Sequence, residues 1–177
     1  MRKRPITLRH LTIIIPLLFS AACSGSGGDP AQGSGGAGGT SGDPLNAPPT
    51  CTSKMTWTRG ENAQMRPGEA CISCHTQDGG PRFSIAGTVY PTGHEPDDCN
   101  GAAGATIVIV DAQNREHRIT ANAVGNFYLE QTIAVPYTAH VIGTNGERFM
   151  VSPQTSGDCN GCHTEWGHGA PGRINIP

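Results

Sequence analysis

The stretch GATIVIVD, residues 104–111, decides how this chain folds. Successive side chains of an extended segment point to opposite faces, so Ile107 and Ile109 stand on one side and Val108 and Val110 on the other. A strand that is apolar on both faces belongs in the middle of a sheet, covered from both sides. Working outward, RFSIAGTVY at 82–90 alternates Phe83, Ile85, Gly87 and Val89, and REHRITAN, GNFYLEQ, YTAHVIG and GERFMVS follow, separated by turn residues. Asn145-Gly146, between the last two, is a strong hairpin dipeptide. No amphipathic helix of convincing length interrupts the run. Residues 83–152 therefore read as an all-β unit, a single sandwich of six to seven strands.

The N-terminus has a different grammar. MRKRPITLRH is basic, LTIIIPLLFS is an apolar run of ten, and the small residues Ser20, Ala21 and Ala22 precede Cys23. The run is too short for an ordinary membrane-spanning helix and suits an export signal. Residues 24–50 hold nine glycines and no large apolar residue except Leu45, so they cannot bury enough surface to offset their ordering entropy. The expected organisation is a signal peptide at 1–22, a disordered tether at 23–50, a motif-bearing segment at 51–82, the β unit at 83–152 and a second motif-bearing segment at 153–177.

Removing the leader removes four of the 12 basic residues and none of the 14 acidic ones, leaving 8 − 14 = −6. That balance argues against a nucleic-acid partner, since phosphate backbones require clustered Lys and Arg. Neither a G-x-S-x-G nucleophile elbow nor an H-E-x-x-H helix occurs, so the reading is a carrier or binding protein and not a hydrolase.

Seven cysteines carry the chemistry. Four of them sit in two C-x-x-C-H motifs, CISCH at 71–75 and CNGCH at 159–163. Two thiols two residues apart can form thioethers to the two vinyl groups of a haem, and the adjacent imidazole then ligates the iron; this is the signature of c-type haem attachment. Cys71, Cys74, Cys159 and Cys162 are the expected haem-binding thiols, with His75 and His163 as proximal iron ligands. Two rival readings stay open. The pairs could share one four-cysteine zinc site, although 84 residues separate Cys74 from Cys159. They could also form structural disulfides in an oxidising compartment. Neither rival requires a histidine twice at the same place. Cys51 and Cys99 remain, and one disulfide between them is the economical reading.

The motifs resemble those of multihaem cytochromes, whose sites are short and loop-borne, which implies two haem c groups and electron transfer with a redox partner protein. The leader resembles a bacterial lipobox, although Ser20 stands where a Leu is usual. This implies lipidation of Cys23 and a protein lipid-anchored at a membrane of the cell envelope, with Ser24 pointing to the outer membrane. The pattern GTVY at 87–90, GATIVIVD at 104–111 and NAVGNFYL at 122–129 resembles the carboxypeptidase-regulatory-like and transthyretin-like sandwiches. That likeness implies a Greek-key β-sandwich, a scaffold without catalytic residues of its own. The rival function is a surface adhesion or ligand-binding sandwich whose C-x-x-C pairs hold zinc or form disulfides.

If all six strands reverse direction in turn, the entrance of the first and the exit of the sixth share one pole, and the two motifs meet there. The remaining histidines are candidates for sixth iron ligands, and a haem enzyme is left open if one iron is five-coordinate. His94 lies in the loop YPTGHEPDDCNG and His168 in TEWGHGAPG, and both are expected as distal ligands. His94 conflicts with the parity picture, because its loop starts at the opposite pole. His117 and His140 share strand faces with apolar residues and read as capped core histidines. Met55 and Met65 offer thioethers, and Trp57, Phe83 and Trp166 offer rings to cover a haem face.

Overall fold

The computed structural model describes residues 49–53 and 61–177. The leader, Cys23, nearly all of the tether, Met55 and Trp57 lie outside the described residues. Among those described, the architecture is all-β: strands in two sheets and one short α-helix. In chain order the elements are α1 (Cys71–Asp78), β1 (Ile85–Tyr90), β2 (Thr106–Val110), β3 (Glu116–Thr120), β4 (Asn126–Leu129), β5 (Thr138–Gly143), β6 (Gly146–Phe149), a 3-10 turn (Cys159–Gly161) and β7 (Ile174–Asn175). No described helix is long and apolar enough to cross a membrane.

The first sheet has the order β4-β1-β7 and the second β3-β2-β5-β6. The doubly apolar stretch is β2, central in its sheet, with Ile107 facing Ile119 on one side and Val141 on the other. β1 is central in the other sheet, and all six of its residues are buried. One core joins the sheets: Ile85, Val89 and Phe127 from the first pack with Ile107, Ile109 and Val141 from the second. β5 and β6 close through a two-residue turn in which Gly143 pairs with Gly146, so Asn145 lies in the turn and Gly146 opens the strand. β7 is the strand beyond the six read from the sequence, and it pairs parallel to β1 at Val89–Ile174 and Tyr90–Asn175.

Two features differ from expectation. Phe83 and Ser84 precede the first strand, which starts at Ile85. More consequentially, the first C-x-x-C-H is not loop-borne: Cys71 opens α1. The segment has no apolar stripe, which is why its periodicity gave no helix signal. Gly79, in the left-handed conformation, ends it, and the Gly80 N–H returns to the His75 carbonyl at 2.9 Å.

The chain after β6 explains how the two motifs meet. The Ala86 N–H donates to the Gly157 carbonyl at 2.9 Å, and Asp158 bridges Ala86 in parallel. The chain leaves the β1 edge at Cys159 and returns to it at Ile174. The second motif thus begins an excursion from one edge of β1, starting beside the strand's entrance and finishing beside its exit. Gly157 permits the approach, since a Cβ there would collide with the Ser84 carbonyl.

Candidate functional site

Cys71, Cys74 and His75 occupy positions i, i+3 and i+4 of α1, so they share one helix face. The His75 ring accounts for one nitrogen: Nδ1 lies 2.9 Å from the Pro81 carbonyl. A carbonyl can only accept, so Nδ1 carries a proton, and in the neutral ring that leaves Nε2 with its lone pair. The Phe83 ring packs on the imidazole with centroids 4.8 Å apart, and Tyr128 packs on Phe83 at 4.7 Å. A cavity of about 380 Å³, lined by Ile72, His75, Pro81, Arg82 and Phe83, meets the motif at its imidazole, and neither thiol lines it. It combines an imidazole, apolar cover and a cation.

Cys71 and Cys74 are both half-buried. The Cys71 thiol donates to the Glu69 carbonyl at 3.3 Å. Burial, with Asp158 and Cys159 close by, holds Cys71 well above the usual thiol range. Burial also raises Cys74, aided by the neighbouring Glu69 carboxylate. Neither is a ready thiolate, so neither is set up as a nucleophile.

The second motif is only half similar. His163 repeats the device of His75, its Nδ1–H donating to the Gly172 carbonyl at 2.8 Å. Burial lowers its pKa, partly offset by that carbonyl, and keeps the ring neutral at neutral pH. Cys159, however, belongs to the shared core, and its Cβ sits over Gly87 and Phe127, where any added Cβ at Gly87 would come within 2.9 Å. Burial pushes its thiol up to about 12. Cys162 is half-buried, and its carbonyl accepts the His168 N–H at 2.7 Å.

The motifs touch directly. Asp158 Oδ2 accepts the Ser73 N–H at 2.8 Å, and Asn160 Nδ2 donates to the Glu69 carbonyl at 2.9 Å and stands 3.9 Å from Cys71 Sγ. The four motif sulfurs nevertheless do not gather. Among the described residues, the one cluster whose ligand atoms lie within 4.8 Å of each other is Cys51, Asp97 and Cys99. Cys51 and Cys99 are joined in a disulfide across 48 positions, and Asp97 Oδ1 accepts the Thr52 and Cys99 N–H groups, so that cluster has no free thiolate for a metal. A four-cysteine zinc site is not formed in this arrangement.

The excursion from β1 also resolves where His94 lies. It starts at the far pole, as the strand order requires, but the second motif's loop climbs to meet it. His94 Nδ1 lies 2.6 Å from the Glu165 carbonyl, and its ring stacks on exposed Trp166 at 5.5 Å. His94 is thereby placed with the second motif. His168 is exposed in the same loop and lines a second cavity, about 350 Å³, with Asn160, Trp166 and Arg173. His117 and His140 lie elsewhere: His117 Nε2 is 3.3 Å from buried Asp111, and the His140 ring stacks on Phe149 at 4.6 Å. Sequence reading missed Asp158 and Asn160. The signal was present in their adjacency to Cys159, but nothing in their types told which segment they would hold.

The donor chemistry of the first motif fits a c-type haem: two thiols and an imidazole on one helix face, with a cavity of apolar and cationic walls at the imidazole. The second motif fits in its imidazole and not in its first thiol, because Cys159 is packed in the core. No family model, curated protein or solved structure matches the chain.

Proposed function

We propose that this chain is a c-type haem lipoprotein that transfers electrons in the cell envelope, built on a Greek-key β-sandwich. Cys71, Cys74 and His75 would hold one haem; CNGCH carries the motif of a second, of which His163 is the residue that would ligate iron, while Cys159 is packed in the core. A bound haem supplies a one-electron couple. The chain contributes the rest. His75 and His163 are held in one tautomer by carbonyls, which orients a ligand and raises its basicity. Phe83 and Tyr128 cover the first site, and Arg82 offers a charge to carboxylates. Cys23 carries the lipid, and the glycine-rich tether gives the domain reach to a redox partner.

What supports this reading most is the shared helix face of Cys71, Cys74 and His75 with the imidazole Nδ1 already engaged. The test is a haem stain of the denatured protein from its native host, with the double substitution Cys71→Ala, Cys74→Ala. Stain that survives denaturation and falls in the variant supports it. Protein that is colourless as isolated from its native host removes it.

The rival reading is an adhesion or ligand-binding lipoprotein, and the thiol of Cys159, in the core and not at a surface, counts for it by counting against haem at the second motif. That reading requires the colourless result.

A further inference from the structure

We infer that the second motif positions the first: Asn160, inside CNGCH, is a buried clamp that holds the Cys71–His75 helix in place, so the two motifs assemble as one unit. Asn160 is 1% exposed. Its Oδ1 accepts the Thr88 N–H at 3.0 Å, which ties it to β1. Its Nδ2 donates to the Thr88 hydroxyl at 3.1 Å and to the Glu69 carbonyl at 2.9 Å, and it points towards Cys71 Sγ at 3.9 Å. Half of these contacts therefore serve the other motif.

Thr88 extends the clamp. Its hydroxyl also accepts the Gly68 N–H at 3.0 Å and donates to Asn126 Oδ1 at 2.8 Å, which fills all three of its hydrogen-bonding positions. Asn126 Nδ2 in turn donates to the Met65 carbonyl at 2.9 Å. The lead-in to α1, residues 65–69, thus hangs on three buried polar side chains, one of which comes from the second motif. α1 needs the help. It has eight residues, Ala70 gives it no side-chain cap, and its first turn carries no acid of its own. A helix of this length is marginal in isolation. Asp158, one residue before Cys159, supplies the missing cap from across the fold.

The inference deepens the haem reading, because a hydrogen-bond donor near a haem-linking sulfur and a fixed helix both tune the surroundings of a first-site haem. The clamp itself exists whether or not haem is attached, and this keeps the two ideas separable. The experiment is amide hydrogen exchange on the full chain, read on peptides covering 71–78 and 106–110, for Asn160→Leu and for Asn160→Asp. The first variant removes every contact; the second keeps the acceptor for Thr88 and loses the donors to the first motif. Exchange in 71–78 should rise by about tenfold or more in both, as expected when a buried hydrogen bond is lost, while 106–110 stays unchanged. In pigmented protein the midpoint potential should shift with covalent haem content unchanged. Unchanged exchange in 71–78, or an equal rise in 106–110, overturns the clamp. Covalent haem absent from the unsubstituted chain sinks the haem reading alone, with the exchange result still deciding the clamp.

Discussion

Asp158 Oδ2 accepts the backbone N–H of Ser73 at 2.8 Å, so a carboxylate beside the second C-x-x-C-H motif caps the helix that carries the first. The bond spans 85 positions in sequence. It exists because the chain returns to the β1 edge at Gly157 and Asp158, beside Ala86, which sets the Asp158 carboxylate against the first turn of α1.

Asp158→Ala should therefore destabilise the fold by about 1 kcal/mol, the usual cost of losing a helix N-cap. Chemical denaturation of the variant checks it. A midpoint equal to that of the unsubstituted chain would show that the cap is not used.

Gly157→Ala should be worse than its size suggests. The added methyl would meet the Ser84 carbonyl, which is backbone and cannot rotate aside. Relief requires the second motif to move off β1, so we expect a loss of about 1–3 kcal/mol, typical of overpacking, together with faster exchange of the Ala86 amide. A variant as stable as the parent would contradict the docking.

The Cys51–Cys99 disulfide closes a separation of 48 residues. Loop-closure entropy for that length gives about 4 kcal/mol, so Cys51→Ser with Cys99→Ser should lower stability by an amount of that order. Thermal unfolding with and without the pair measures it, and an unchanged transition would contradict it.

Acid should act in two opposing steps. Burial raises the pKa of Glu69 and of Asp158, so the folded state takes up their protons first; their charged forms cost stability, and that cost disappears as pH falls towards the ordinary carboxylate range. Asp97 and Asp111 behave oppositely. Burial pushes both up, but hydrogen bonds outweigh it and hold them low: from Cys99 and Thr52 to Asp97, and from Arg115, His117 and Gln113 to Asp111. Their contribution is complete above the unfolded carboxylate range and is lost as pH falls below it. Stability should peak in mild acid and drop steeply below about pH 4. Asp111→Asn should flatten the low-pH drop in a urea series, and an unaltered drop would remove Asp111 from the account.

The strands were legible because their signal is local. Alternation in 85–90, double apolarity in 106–110 and the Asn145-Gly146 turn each depend on neighbours in sequence. Strand β7 was not, since Ile174 and Asn175 are too short a run to show a period. α1 was illegible for a different reason: its cap Asp158 and its clamp Asn160 stand 85 and 91 positions from the residues they hold. His94 was ambiguous because strand order fixes where its loop starts and not what climbs to meet it. The core position of Cys159 was hidden too, since it depends on the space over Gly87 that opens only when 157–159 docks.

The most direct measurement is peptide mass spectrometry on the mature protein from its native host, read at residues 71–75. The account predicts that Cys71 and Cys74 both carry a haem through thioether bonds and resist alkylation after reduction and unfolding. Two unmodified thiols, alkylated freely once the chain is unfolded, would contradict it.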